Sequence, residues 1–506
     1  MNGSPTAQRL IGSGVAGTLA LAVNLAASLF LLPFLISRLG DDWYGAWVLI
    51  GSILGYFTVL DVGLFSAAER YVALHFARRD WQAVNAVLST SLVVFSLVGF
   101  AALVLVSLAT LFIPLFVAAP ETRTTVRWAM LICALDLALF FPSGTLNGIV
   151  VARLRYDLAH LLQIGKIALR TALIVYFVSA GHGIVALAAI TLGTNALERA
   201  AKLSLAVRLF PELSLSVRRF SWSNLREFVS YGVPSFLTEV ADKIRFYVDT
   251  VVVGAMLGVA SVTVYNIAVR LVHYYIQVIF GGIGYLLPVF TAQAGAGEMV
   301  ALRRSFLFGT KIAIALSALV GGGLIGVGGS VIEVWIGADY RAAVPPLVLL
   351  VAGVFFELAQ LPSVNLLFAL GRQGFLARLG LAEAAANLAL SLALVGPFGL
   401  VGVALGTTIP LVLLRSVVQP GFVCRQIDLP RAAYLRAVAR VAVPALLLQL
   451  PAWLVLHELG ARSPWLAIGA AAAIWPILAG MLFFIAFDRG ERATLTGELH
   501  RWVARA

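Results

Sequence analysis

Residues 10–36 read LIGSGVAGTLALAVNLAASLFLLPFLI, 27 positions without one charged side chain. About 20 apolar residues suffice to cross the hydrocarbon core as a helix. The run is about twice the apolar core of a cleavable leader, so it reads as a retained first membrane span. The rest of the chain agrees. Of 506 residues, 61% are hydrophobic and 12% charged, and the mean hydropathy is +0.97. A soluble protein carries about 25% charged residues, so a water-soluble fold and a disordered chain are both excluded.

Working outward from this run, fourteen apolar windows predict an all-α, polytopic membrane protein. They are 10–36, 45–66, 86–112, 126–149, 161–180, 184–205, 232–257, 262–290, 305–330, 344–369, 379–396, 400–422, 438–457 and 465–487. The connections Gly181–Gly183 and Gly396 to Gly399 are so short that each joins two spans into a helical hairpin. With the N-terminus placed in the cytoplasm, 21 arginines fall on the cytoplasmic side and 4 (Arg38, Arg123, Arg341 and Arg462) on the other. This bias obeys the positive-inside rule. It predicts both termini in the cytoplasm and explains the net charge of +12 without nucleic acid. The stretch Ala67–Asn85, with Arg78-Arg79-Asp80-Trp81, is expected to lie along the interface as an amphipathic helix, and the tail after Asp488 can do the same.

Four short matches recur at nearly one offset. Pro142-Ser143 returns as Pro362-Ser363, Leu158-Ala159 as Leu376-Ala377, Gly183–Ala188 as Gly399–Ala404, and Leu39-Gly40 as Leu257-Gly258. Six spans separate the copies, an even number, so both point the same way across the membrane. Parallel repeats around a central cavity are a transporter architecture. The expected division is a first six-helix lobe over 1–205, a cytoplasmic linker over 206–226 and a second, pseudo-symmetric lobe over 227–422. Two extra spans over 423–487 and a cytoplasmic amphipathic tail over 488–506 complete it.

The run Pro33-Phe34-Leu35-Ile36-Ser37-Arg38-Leu39-Gly40-Asp41-Asp42-Trp43-Tyr44-Gly45-Ala46-Trp47 resembles the first-loop signature of bacterial polysaccharide flippases. Asp61-Val62-Gly63-Leu64 and Ala67-Ala68-Glu69-Arg70-Tyr71 continue the likeness. Pro234, Asp249, Gly254 and Leu257-Gly258 resemble the start of that family's second lobe. These are the O-antigen and exopolysaccharide exporters of the multidrug/oligosaccharidyl-lipid/polysaccharide superfamily. The resemblance implies a non-enzymatic flippase of the bacterial inner membrane that moves an undecaprenyl-diphosphate-linked oligosaccharide to the periplasmic leaflet. Two lobes opening alternately to each side would do so, with polysaccharide polymerase and glycosyltransferases as expected partners. No cofactor is expected, and a proton or a sodium gradient is left open as the drive.

The charges inside the windows supply the candidate site. Arg170, Lys243, Arg245 and Arg270 lie near mid-span by count. At about 2.5–3.5 kcal/mol each against lipid, four such bases would cost about 10–14 kcal/mol, so they must face a wet cavity or be paired. Lys166 is i,i+4 to Arg170 and shares its face. Together, Lys166, Arg170, Lys243, Arg245 and Arg270 are the candidates for a cationic path that suits a diphosphate. Asp61, Glu239, Asp242, Asp249 and Glu357 are the carboxylates available for ion coupling or salt bridges, and the spacings in 239–249 permit a pairing ladder within one helix. Arg127, Arg199, Lys202, Lys311 and Arg440 lie near span ends, where snorkelling accounts for them. Glu383 sits where it can cap or pair.

Other chemistries are not supported. Cys133 and Cys424 fall in or beside apolar stretches and form no CxxC pair. The six histidines show no metal-ligand spacing, and no metal is expected. Gly321-Gly322-Gly323 lies inside a span with no following Lys-Ser/Thr, which indicates close helix packing and not a phosphate loop. Two readings within the superfamily stay as alternatives, a drug/cation antiporter, which would want an acid in Leu10–Ile36, and a lipid II flippase, which would want arginines there; the run has neither, which weakens both. A membrane glycosyltransferase or polymerase would need a long external loop, and none is present.

Overall fold

The computed structural model describes residues 5–57, 62–117, 119–153, 155–283 and 286–503; the side chains of 5–15, 62–64, 66, 151, 229–246, 281–282 and 498–503 lie outside the description. Every regular element among the described residues is helical. The chain separates into two compact units, 1–263 and 264–506.

The first unit holds α1 (Pro5–Leu39), α2 (Asp41–Phe57), α3 (Val62–Ala77), α4 (Trp81–Ala109), α5 (Pro120–Gly144), α6 (Asn147–Ala152), α7 (Tyr156–Ser179), α8 (Ile184–Leu209) and α9 (Trp222–Leu257). The start of α10 (Val259–Ile283) closes it. In the second unit follow α11 (Leu286–Gly295), α12 (Met299–Trp335), α13 (Val344–Ala359), α14 (Leu361–Ala369), α15 (Gln373–Leu413), α16 (Gln419–Gln426), α17 (Arg431–Arg462), α18 (Pro464–Ala486) and α19 (Arg489–Val503).

Among the described residues ten segments are long and apolar enough to cross a membrane. They cover eleven of the fourteen windows, because Gln373–Gln426 takes in two. That segment is interrupted at Gly399, whose φ of +56° only glycine adopts freely, so the hairpin expected at Gly396 to Gly399 is present as a kink inside α15. The windows 45–66, 232–257 and 262–290 fall on α2 with α3, α9, and α10 with α11; none of them is among the ten. The exact count of fourteen is therefore not established. Large side chains such as Leu447, Leu454 and Phe484 stay exposed on the helix walls, as a lipid-facing surface requires.

Local chemistry sets the helix ends. Asp80 caps α4 by accepting the Ala83 N–H at 2.9 Å. Asp488 and Glu491 form a reciprocal capping box at α19, Glu491 N–H donating to Asp488 at 2.9 Å and Asp488 N–H to Glu491 at 3.0 Å. The first of these bonds holds the Asp488 carboxyl below the usual range. The paired Leu-Gly dipeptides of the repeat both put glycine at a positive φ: Gly40 (φ +79°) ends α1 and Gly258 (φ +87°) ends α9.

One expectation fails. Ala67–Asn85 does not lie along the surface as an amphipathic helix. Its first half is α3, which packs against α4, α6 and α9 with Ala67, Ala68 and Val72 buried. Its second half contains a turn with Arg79 at φ +56° and the start of α4. The arginines at the turn suggested an interface, but the alanine stripe of α3 is core.

Small residues bring the helices together. In the first unit a Cβ on Gly45 would strike the Val259 carbonyl, and one on Gly55 the Tyr247 ring. In the second unit Gly321, Gly322 and Gly323 of α12 face Tyr275, Gln449 and Trp475, so this stretch is a packing seam as read from sequence. Across it Gln449 donates to Ala318 O at 2.9 Å, Trp453 to Gly322 O at 2.7 Å and Trp475 to Leu319 O at 2.6 Å. These bonds tie α17 and α18 to α12 through donors that would be costly to leave unmade away from water.

Gly402, whose Cβ would meet the Leu394 backbone across the kink, should not tolerate alanine. Gly402→Ala is expected to cost about 1–3 kcal/mol by overpacking, whereas Gly480→Ala in α18, with open space around it, should be neutral or mildly stabilising. Melting of the detergent-purified variants distinguishes the two. A topology reporter fused after Ala506 should be active in the cytoplasm, and activity confined to the opposite side would reverse the orientation.

Candidate functional site

The first unit concentrates charge on α5, α7 and α8. On α8, Thr191, Asn195, Glu198, Arg199 and Lys202 recur at helical spacing and share one side. Lys166 and Arg170 of α7, one turn apart, both meet that side. Lys166 Nζ is 2.7 Å from Glu198 Oε2, and Lys202 Nζ is 3.0 Å from Glu198 Oε1. Arg199 Nη1 lies 2.8 Å from Asp136 Oδ1 of α5, close in charge but out of line for a hydrogen bond. The other Arg199 nitrogen, Nη2, donates to the Asp136 carbonyl at 3.0 Å, and Asn195 donates to Asp136 Oδ2 at 2.7 Å.

Arg170 differs from the rest. Its Nη2 donates to Thr191 Oγ1 at 3.1 Å, while the Thr191 hydroxyl donates to Leu187 O at 2.7 Å. A neutral oxygen thus orients the guanidinium without cancelling its charge. Arg170 lies 14 residues from the start of α7, about 21 Å along the helix. The network has four cations, Lys166, Arg170, Arg199 and Lys202, and two carboxylates, Asp136 and Glu198, a surplus of two positive charges.

In the second unit two buried bases, Arg415 and Lys311, each meet a described carboxylate. Arg415 grips Glu383 with Nε to Oε1 and Nη2 to Oε2, both 2.7 Å, and sends Nη1 to Gln419 at 2.8 Å. Both residues are nearly inaccessible, Glu383 at 1% and Arg415 at 6%. A π-helical turn, Leu414–Val418, carries Arg415 and departs from the regular ladder at this point. Gln419 reaches Gln360 O at 3.5 Å, and Gln360 donates to Tyr434 at 2.7 Å and accepts from Ser363 at 2.7 Å, so polar groups continue the cluster. Lys311 of α12 pairs with Glu491 of α19 at 2.6 Å.

Among the predicted site residues, the structure brings Lys166 and Arg170 together on α7. Arg270 lies exposed on α10, without a described carboxylate in ion-pair range. Asp249 is buried on α9 and Glu357 half-buried on α13, each engaged by neighbours. Asp61 and the side chains of Glu239, Asp242, Lys243 and Arg245 lie outside the described residues. Arg199, Lys202 and Lys311, read from sequence as snorkelling, are instead paired inside the protein. Arg199 and Lys311 find their partners on other helices, and Lys202 shares Glu198, one turn back on its own face, with Lys166 of α7, so span-end counting does not register them. Asp136 and Asn195 were missed as a node for the same reason. Among the described residues no group of three or more His, Cys, Asp or Glu is placed to hold a metal ion.

The fold is that of the superfamily's transporters. A multidrug resistance MATE family transporter in its inward-facing conformation superposes with a TM-score of 0.70 at 19% identity, covering 81% of this chain and 94% of that one. The lipid II flippase MurJ, inward closed, gives 0.69 at 15% identity over 94% of this chain and 99% of that one. The family described as "Polysaccharide biosynthesis protein" matches residues 9–293, and the chain belongs to it. Relatives include the "Uncharacterized membrane protein EpsK" of Bacillus subtilis (strain 168), 21% identical over 83% of this chain and 84% of its own length. Another is the "Putative O-antigen transporter" of Shigella flexneri, 22% identical over 77% of this chain and 91% of its own.

The Glu383–Arg415 fork should prove structural. Arg415→Met, which strands a buried carboxylate, is expected to destabilise by about 3–5 kcal/mol. The double variant Glu383→Leu/Arg415→Met should melt well above the single one.

Proposed function

We propose that this protein is a flippase carrying an undecaprenyl-diphosphate-linked oligosaccharide, an O-antigen or exopolysaccharide repeat unit, from the cytoplasmic to the periplasmic leaflet of the bacterial inner membrane. Membership in the polysaccharide biosynthesis family supports the reading. So do the relative named for O-antigen transport and the fold shared with a lipid II flippase. The Shigella flexneri relative is named as a transporter, as are the structural neighbours, and the reading assigns the chain no catalytic residue.

The observation that carries the reading is Arg170, a cation well inside α7 whose described hydrogen-bond partner is the neutral Thr191 hydroxyl, with Asp136 acting on it through its charge alone. A guanidinium so held keeps donors free for the two oxygens of a phosphate, and such bidentate bonds are strong where water is scarce. Lys166 one turn away adds a second cation that Glu198 shares with Lys202. As a diphosphate arrives, Lys166 can turn to it while Lys202 keeps Glu198 neutralised. Alternating access would then expose the site to each leaflet in turn, with Lys243, Arg245 and Arg270 as candidates for the remaining path. Asp61, Glu239, Asp242, Asp249 and Glu357 are the candidates for coupling to a proton or sodium gradient. Polysaccharide polymerase and glycosyltransferases are the proposed partners on either side of the step.

Arg170→Ala should lower polysaccharide export roughly tenfold or more at unchanged membrane abundance, in line with loss of a charge-assisted contact. Arg170→Lys should restore it in part, because an ammonium keeps the charge and loses the fork. Normal export by an Arg170→Ala/Arg270→Ala double mutant at normal abundance would refute the cationic path and leave the network a structural one.

A further inference from the structure

The segment joining α8 to α9 is fixed to the first unit by side chains of α4. Asn85 donates to Glu212 O at 2.9 Å and accepts from Ser214 N–H at 2.7 Å. Ser216 N–H donates to Ser89 Oγ at 3.2 Å, and Ser221 N–H to Thr90 Oγ1 at 3.0 Å. These three α4 residues are buried polar groups, with Ser89 at 1% and Thr90 at 0% exposure. Upstream, buried Phe210 packs between the rings of Phe76 and Trp81, and Arg153 donates to Leu209 O at 3.0 Å. The backbone is thus a built strap.

What the strap turns outward is apolar and basic. Val217 is 72% exposed and Trp222 76%. Arg218 lies beside Val217, and Arg226 shares a face of α9 with Trp222 one turn on; both arginines are exposed. Over 208–226 there are four arginines and one acid, Glu212. Arg219 donates to Ser214 O at 2.8 Å and helps hold the strap's shape.

The depth of the strap follows from α4. Exposed apolar side chains run from Leu97 through Phe100 and Leu108 to Leu115, about 27–30 Å of helical rise, which matches a hydrocarbon core of about 30 Å. Thr90, seven residues before Leu97, lies about 10 Å along the helix beyond the first of these exposed side chains, toward the head groups. The strap is on the side that carries most of the arginines. We propose that it is a docking surface for anionic phospholipid head groups of the cytoplasmic leaflet. Arg218 and Arg226 bind the phosphates, and Val217 and Trp222 enter the interface. Aromatic side chains favour that layer, and basic residues there are drawn to anionic lipid.

The full-length protein, purified in mild detergent, is titrated with dioleoylphosphatidylglycerol or dioleoylphosphatidylcholine, and retained lipids are counted by native mass spectrometry. The wild type should prefer the anionic lipid. Arg218→Gln/Arg226→Gln should lower that preference about fivefold for each arginine removed, and Trp222→Ser should weaken retention of both lipids. Arg372→Gln/Arg378→Gln, exposed bases of the second unit, should leave it unchanged. Equal binding of the two lipids by the wild type, an unaltered preference in Arg218→Gln/Arg226→Gln, or an equal loss in the control would overturn the proposal. If the double variant kept its lipids but lost a co-purifying cytoplasmic protein, the strap would be a protein-docking surface and the lipid reading would fail. The readout involves no transport, so its failure leaves the flippase reading intact.

Discussion

An ionised or polar group that leaves water must find its partner within reach of its own helix neighbours, and this requirement organises each unit of the protein. In hydrocarbon the backbone satisfies itself only as helix. Side chains that cannot do the same are collected into a few seams. Glu383, Arg415, Gln419 and Gln360 form one, and Gln449 and Trp453 of α17 with Trp475 of α18, bonded to carbonyls of α12, form another. In both, a long polar side chain reaches a fixed acceptor on a neighbouring helix. The small residues beside the second seam let the helices approach closely enough for those bonds to be made.

Set against this rule, the two units differ in how their charges balance. In the second unit the buried pairs Glu383–Arg415 and Lys311–Glu491 are each one acid to one base. In the described network of α5, α7 and α8 in the first unit four bases share two acids, and Arg170 is the base whose hydrogen-bond partner is a neutral hydroxyl. A purely structural network gains nothing from surplus like charge in a medium of low dielectric. A site that must bind and release a dianionic group gains from cations already held in place, because their desolvation and orientation have been met by the fold. The imbalance in α5, α7 and α8 is the feature on which the proposed flippase reading rests.

What could be read from the amino-acid order was what repeats along one helix or along the whole chain. The charge-free run at 10–36 identified a span, and Leu39-Gly40 with Leu257-Gly258 identified two helix ends that share a left-handed glycine. Lys166 and Arg170 were placed on one face by their spacing alone. What escaped was every partnership across helices. Nothing in the order of residues says that Lys311 meets Glu491, 180 positions away, or that Asp136 sits between Asn195 and Arg199. The same blindness turned α3 into an expected surface helix. Arginines at its end are visible in one dimension, whereas the alanines that bury its face take their meaning from α4, α6 and α9.

The strap adds a constraint on how such a protein can move. A connection between two long helices is ordinarily slack, so that motion is absorbed wherever the chain is loosest. Here residues 212–221 are bonded to Asn85, Ser89 and Thr90, and Ser221 also caps α9 by accepting from Asn224 at 3.4 Å. The N-terminus of α9 is therefore pinned to α4 by its own cap residue. Any rearrangement that carries the later part of α9 must be taken up beyond Ser221 within the helix, or at its glycine end, Gly258. Because Ser221 serves both bonds at once, displacing the strap would also uncap the helix. A force that holds the strap against the membrane surface would, by the same coupling, hold the start of α9.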